Sequence, residues 1–222
     1  MKLLLAVSSV AELTEILPAD NLKPAIGEPY VLSTDVNNHE VTVAIIGYSN
    51  TVTTHRTTKI LTASRYHLAI KAGYGRLLGD LPDDIIALNI VNEKNGDEGY
   101  KADGKWQSYY DLNLMNREEP PHVRGGIVNL TNSYLNVFLP YRKAVGVTAN
   151  RLYEPEMEKL FVTHHLAKVQ TTNGAGFAYA CLAAGQPYYH LCIGERQHVF
   201  GKPGKAAAEH LRQTLQDVLE KI

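Results

Sequence analysis

The chain predicts a single α/β domain with a largely parallel core, and three observations carry that prediction. Short apolar runs alternate with helix-period segments along its 222 residues, the pattern of strands joined by covering helices. Several runs, Leu3 to Val7 and Pro187 to Ile193 among them, read as buried strands. The length sustains one sizeable core, so residues 1–222 form one domain.

In chain order, Leu3 to Val7 is a central strand feeding a helix from about Val10 to Ile16, stopped by Pro18. Tyr30 to Thr34 and Val41 to Ile46 flank the polar pair Asn37-Asn38 and form a hairpin. Gly47 to Asn50 is a loop before a Thr-rich helix, Thr51 to Ala63. Tyr66 to Ala72 and Ile85 to Val91 are further strands. From Asn92 to Val145, polar residues, Gly pairs and Glu118-Glu119-Pro120-Pro121 indicate a long excursion with little regular structure, of the kind that covers a site or a partner. Regularity returns with a strand at Ala144 to Thr148 and a helix at Glu154 to His164. A small-residue helix follows at Gly174 to Ala184, ended by Gly185, then the last strand. The final helix, Lys205 to Ile222, places Leu211, Leu215, Val218, Leu219 and Ile222 on one face.

Composition excludes several classes. A net charge of −1, from 22 Lys+Arg against 23 Asp+Glu, leaves no broad electrostatic footprint for nucleic acid or an anionic membrane. The apolar start, Met1 to Val7, is too short for a signal sequence or a membrane span. Cys181 and Cys192 sit in apolar or small-residue runs as packing thiols, which fits a reducing cytoplasm. The nine His are scattered, and His164-His165 has no second cluster at ligand spacing, so neither metal nor cofactor is expected. Thirteen Tyr against four Phe point to half-buried aromatics lining a cleft or a subunit contact.

The stretch Val169-Gln170-Thr171-Thr172-Asn173-Gly174-Ala175-Gly176-Phe177-Ala178 is the most informative. It resembles the ribose-binding turn of the futalosine hydrolase and methylthioadenosine/adenosylhomocysteine nucleosidase group, written roughly E-S-M-E-G-A-A-F. Asn173 stands where the ribose-gripping Glu is expected; Gly174, Ala175 and Phe177 keep the frame. Met1 to Val7 with Glu12 resembles the family start, whose Glu handles the attacking water. Ile46-Gly47-Tyr48-Ser49-Asn50 falls at the family's T-G-V-G-M, and Ala72-Gly73-Tyr74-Gly75-Arg76-Leu77 at its A-G-I-A-G-S. Gly96-Asp97-Glu98-Gly99 through Trp106 and Tyr110 is similar to a segment around L-G-A-E-D-G, and Val145 to Asn150 to a G-I-T-V-N strand. The last strand aligns Arg196, after Glu195, with the Asn or Asp that handles the purine. The resemblance implies a three-layer α/β/α nucleoside phosphorylase-type fold with a mixed central sheet, a nucleoside-like ligand and a homodimer.

Hydrolysis of an N-ribosidic bond passes through an oxocarbenium-like sugar. It needs a carboxylate near the water, a donor at the departing base and acceptors for the ribose hydroxyls. Glu12 meets the first need, although Ser9-x-x-Glu12 is equally a capping box. Arg196 stays protonated and can only donate to a base or clamp an anion; it is otherwise a surface Arg after a strand. A one-residue slip would turn Glu195 inward as an acid with a raised pKa. Asn173 can bond a ribose hydroxyl without charge, or cap the following helix. The resemblance places Gly47, Tyr48, Gly73, Tyr74, Thr148 and Thr172 beside the ligand. Ser49 and Arg76 add side chains where Gly is expected, and Arg76 either recruits an anion or blocks the pocket. Two functions stay open: a purine nucleoside N-ribohydrolase with an altered site, and a catalytically silent paralogue that binds a nucleoside-like or anionic ligand or pairs with a homologue.

Overall fold

The computed structural model describes residues 1–17, 22–25, 28–96, 99–102, 105–108, 112–114, 116–150, 154–199 and 202–222. β1 (Lys2–Val7) leads into α1 (Val10–Ile16); β2 (Lys23–Ala25), β3 (Glu28–Val36) and β4 (His39–Ile45) precede α2 (Asn50–Ala63). The long β5 (Leu68–Leu77) and β6 (Ile85–Asn95) are followed by β7 (Gly99–Ala102), β8 (Lys105–Ser108), β9 (His122–Val123), β10 (Gly126–Val128) and the one-turn α3 (Leu135–Phe138). The chain closes with β11 (Arg142–Thr148), α4 (Pro155–His164), β12 (Ala167–Thr171), α5 (Gly174–Ala183), β13 (Tyr188–Glu195) and α6 (Lys205–Lys221).

The sheet runs β2-β3-β4-β1-β5-β12-β11-β6-β10-β9, with β13 bonded to both β5 and β6. Strands β5, β12, β11, β6 and β13 therefore close on themselves. β1 lies parallel to β4 and β5, and β13 parallel to β5, whereas β12 and β6 meet β5 and β13 antiparallel. The sheet is mixed. Leu3, Leu5, Val7, Ile70 and Leu191 pack against Leu13 and Ile16 of α1 and Leu211, Leu215 and Val218 of α6. The opposite face, with Leu4, Ala6, Ala69 and Tyr188, packs against Leu61 of α2 and Ala175, Phe177, Ala178 and Cys181 of α5. Period-two alternation sends neighbours along one strand to these two helical layers.

The hairpin β3–β4 turns at Asn37 and Asn38, with φ of 49° and 65°, as a two-residue turn with both central residues left-handed requires. The segment from Asn92 to Val145 is more regular than its composition predicts. β6 continues to Asn95, β7 and β8 pair as a separate ribbon, and β9 and β10 extend the sheet edge. These strands span only two to four residues each and carry no apolar run to announce them. Pro18, Asp97, Glu98 and Tyr110 lie outside the described residues.

Candidate functional site

β1 ends at Val7, and the chain turns through Ser8 and Ser9 into α1 at the carboxyl end of a parallel strand, where open α/β sheets bind ligands. Ser9 is the N-cap, its Oγ accepting from Glu12 N–H at 3.1 Å. In a capping box the acid would return to the N–H of Ser9. Glu12 instead accepts from Ser8 N–H at 2.7 Å through Oε2. Its side chain is buried, and burial pushes the carboxyl pKa up against the opposing pull of Lys71 and the Ser8 hydrogen bonds.

Lys71, on β5, is as buried as the aliphatic core at 1% exposure. It lies in register with Ala6 on one side and His190 on the other. Gly73 follows two residues on and leaves a notch between the charges. A Cβ there would lie 3.5 Å from both Glu12 Oε2 and Lys71 Nζ. Across from it, Asn173 donates its amide to Ser8 Oγ at 3.2 Å and to the carbonyl of Gly47. Gly47 has φ of 88°, and a Cβ there would press to 2.8 Å from Val52 Cγ1, so glycine is required at this turn. Tyr48 is partly exposed and donates through its hydroxyl to Ser9 Oγ at 3.0 Å.

Asn173 occupies the N-cap position of α5, yet its side chain makes no capping bond. The helix's first N–H groups go to other elements. Gly174 N–H donates to Thr171 Oγ1 at 3.3 Å, Ala175 N–H to Thr148 Oγ1 at 2.8 Å and Gly176 N–H to Asn50 Oδ1 at 2.9 Å. With those orphan donors satisfied, the Asn173 amide is released toward Ser8 and Gly47. Below the same turn lies Glu93 of β6, 2% exposed, accepting from Thr148 Oγ1 at 3.2 Å and contacting His190 Nδ1 at 2.5 Å. Gly174 admits it, because a Cβ there would overlap the carboxylate. His190 Nε2 is buried without a hydrogen-bond partner among the described residues. Burial, followed by the Lys71 charge, pushes the imidazole pKa down to about 4, although Glu93 pulls the other way. A neutral ring fits: protonation would bury an N–H with no acceptor.

Glu12, Gly47, Tyr48, Gly73 and Asn173 thus converge around Ser8 and Ser9, with Thr148 at the start of α5 and Thr172 half-buried before it. The remaining expected residues are engaged elsewhere. Tyr74 packs in the cluster under α1 and α6 and stacks on His198 at 6.1 Å, its pKa raised by burial and by Glu12, Glu15 and Glu195. Glu195 accepts from Gly204 N–H at 3.3 Å, below the start of α6, and contacts His198 Nδ1 at 3.4 Å. Arg196 is turned to the 79–84 loop, donating to Asp84 at 3.1 Å, Gly79 O at 3.1 Å and Leu81 O at 2.6 Å. Arg76 pairs with Glu158 of α4 at 2.5 Å, and Ser49 caps α2. Sequence reasoning missed Lys71, Glu93 and His190; Lys71 and His190 each interrupt an otherwise apolar strand run, whereas Glu93 stands between Asn92 and Lys94 and gives no such signal.

A cavity of about 580 Å³ abuts the first turn of α5, bounded by Asn50, Thr54, Asn95, His122, Gly176 and Tyr179. That volume lies within the range of small-molecule sites. Among the described residues no cluster of His, Cys, Asp and Glu is arranged to hold a metal ion, and no helix is long and apolar enough to cross a membrane.

No protein-family model and no curated protein matches the chain. Solved structures do. Futalosine hydrolase of Helicobacter pylori superposes with a TM-score of 0.77 at 16% identity, over 100% of this chain and 99% of that one. The MTAN of the same organism gives 0.79 at 14% identity, over 100% of both chains. The 5′-methylthioadenosine/S-adenosyl homocysteine nucleosidase of Campylobacter jejuni gives 0.76 at 14%, again over 100% of both. End-to-end agreement at such low identity is agreement of backbone architecture: the chain has the nucleoside phosphorylase-type α/β fold found in solved futalosine hydrolase and methylthioadenosine/adenosylhomocysteine nucleosidase structures.

Proposed function

We propose that the chain is a purine nucleoside N-ribohydrolase-type protein, futalosine hydrolase-like and related to menaquinone synthesis, with a rebuilt active site. One observation carries the reading: Glu12 is a buried carboxylate clamped by Ser8 N–H at the end of β1, facing the Gly73 notch and the Asn173 turn. A carboxyl whose pKa is raised by burial can take a proton from an attacking water while the ribosidic bond breaks. Gly73 keeps side-chain atoms out of the space between Glu12 and Lys71. Asn173 offers the ribose an uncharged partner, and Thr148 and Asn50 hold the turn that carries it. The donor to the departing base is not Arg196, whose guanidinium is bound to the 79–84 loop. The reading includes a homodimer, with the middle of the chain covering part of a neighbouring site.

A second reading, a catalytically silent paralogue binding a nucleoside-like or anionic ligand, draws on two other observations. The Asn173 amide is spent on Ser8 and Gly47, and Lys71 brings an ammonium to the same notch. A positive charge there opposes an oxocarbenium-like sugar.

Base release from futalosine, methylthioadenosine, adenosylhomocysteine and inosine, with Glu12→Gln alongside, separates the readings. A hydrolase releases base, and the variant loses about 10²–10⁴-fold in rate, the usual contribution of a positioned acid–base group. No release from folded wild type across the panel overturns the hydrolase and leaves the binder.

A further inference from the structure

We propose that a second cavity, bounded by β6, β10 and α4 and separate from the Glu12 site, binds a small amphipathic anion: a phosphate-type group carried on an apolar body. The cavity encloses about 910 Å³. Lys94, Arg117 and Arg124 line it, with His164 and His165 from the end of α4, and among the described residues no carboxylate does. Val128, Val145, Leu160, Phe161 and Leu166 add apolar lining, with Asn92, Asn95 and Ser108 as neutral polar members. A lining that holds both cations and aliphatic and aromatic carbon suits a ligand that carries both kinds of group.

The cationic lining is built rather than scattered. Lys94 Nζ donates to the carbonyl of Arg124 at 3.1 Å. Arg124 is left-handed, with φ of 51°, and Gly125 follows at 67°. An L side chain rarely adopts that conformation unless its surroundings hold it. Here the turn is pinned by Gly125 N–H donating to Arg117 O at 3.0 Å and Arg124 N–H donating to Glu118 Oε1 at 3.2 Å. One turn therefore fixes Arg117, Arg124 and Lys94 on the same rim, while Glu118 is used on a backbone amide. Gly126 completes it, because a Cβ there would sit 2.6 Å from Lys94 Nζ. Burial and the neighbouring Arg117 charge both lower the pKa of Lys94, so like charges are held close together. An anion entering the cavity is attracted by both charges. Glu12, Gly47, Gly73 and Asn173 do not line this cavity, so occupancy here is independent of the nucleoside reading.

Calorimetric titration of the full chain with naphthyl phosphate, naphthol and inorganic phosphate tests the proposal. Naphthyl phosphate binds saturably and tighter than either control, because it alone carries both kinds of group. Arg124→Ala, at an exposed position, weakens binding about tenfold, the scale of one charge-assisted hydrogen bond. Lys94→Met keeps the aliphatic stem and weakens it at least as much, whereas Glu12→Gln leaves it unchanged. No saturable binding of naphthyl phosphate to folded wild type overturns the proposal. So does naphthol binding equally well, affinity indifferent to both cationic substitutions, or affinity lost in Glu12→Gln.

Discussion

The two helices that frame the candidate site, α1 and α5, begin in opposite ways. α1 is started by its own sequence: Ser9 caps it through Glu12 N–H, and Glu12 turns back to Ser8. α5 is started by the rest of the molecule. Its first N–H groups are taken by Thr171 from β12, Thr148 from β11 and Asn50 from α2, while its own Asn173 bonds elsewhere. A carboxylate also sits at each start, Glu12 within the first turn of α1 and Glu93 below that of α5, where the helix dipole favours negative charge. Local capping forms with the helix itself. Remote capping exists only once the sheet is assembled, so the Asn173 turn can be no more stable than the strands that hold it.

The largest expected effect lies under α5. The folded state holds the His190 pKa at about 4, below its ordinary 6.5. The unfolded chain then takes up a proton that the folded chain refuses between those values. Stability is therefore level above about pH 6.5 and falls as pH drops toward 4, by at most about 1.4 kcal/mol per pH unit for this one group. Lys71 and Glu93, the charged groups against the ring, set how much of that limit is reached. Urea unfolding of wild type and His190→Gln at about pH 7 and about pH 5 measures it. The variant loses this part of the slope; an unchanged slope would assign the acid sensitivity to the carboxylates.

The same contrast explains what could be read in advance. Most strands and helices, though not the interior strand β12, were legible, as were the Asn37-Asn38 hairpin and the Ser9–Glu12 start, because each is encoded by neighbouring residues. β7 to β10 were not, because a ribbon and a sheet edge lack an apolar run. Within the site, Glu12 and Asn173 stood out by their place in a motif, and the structure sets both beside Ser8. Arg196 aligned with a purine-handling position, but its direction is decided by carbonyls at Gly79 and Leu81, more than a hundred residues away. Lys71, Glu93 and His190 are adjacent only across three strands, so no spacing along the chain announces them.

Thr148→Val probes remote capping directly. The side chain is fully buried, and its hydroxyl accepts from Ala175 N–H while donating to Glu93. Valine keeps the shape and strands both partners, at a cost of about 1–3 kcal/mol. The denaturant midpoint should drop accordingly, and Thr148→Ser, which restores the hydroxyl, should recover most of it. If base release is present, it should fall too, since the Asn173 turn loosens with α5.

Ser9→Ala removes the local cap and should cost about 1 kcal/mol, less than Thr148→Val. The Ser9 hydroxyl serves Glu12 N–H and Tyr48, both at the partly exposed rim, so water can replace much of what is lost. Glu12 keeps its carboxylate bond, because that bond comes from Ser8. Stability should therefore fall slightly while the pH profile of any base release, which reports the Glu12 environment, stays in place. A loss as large as that of Thr148→Val, or a displaced profile, would mean that α1 is no more self-sufficient than α5, and the distinction between locally and remotely capped helices would not hold in this molecule.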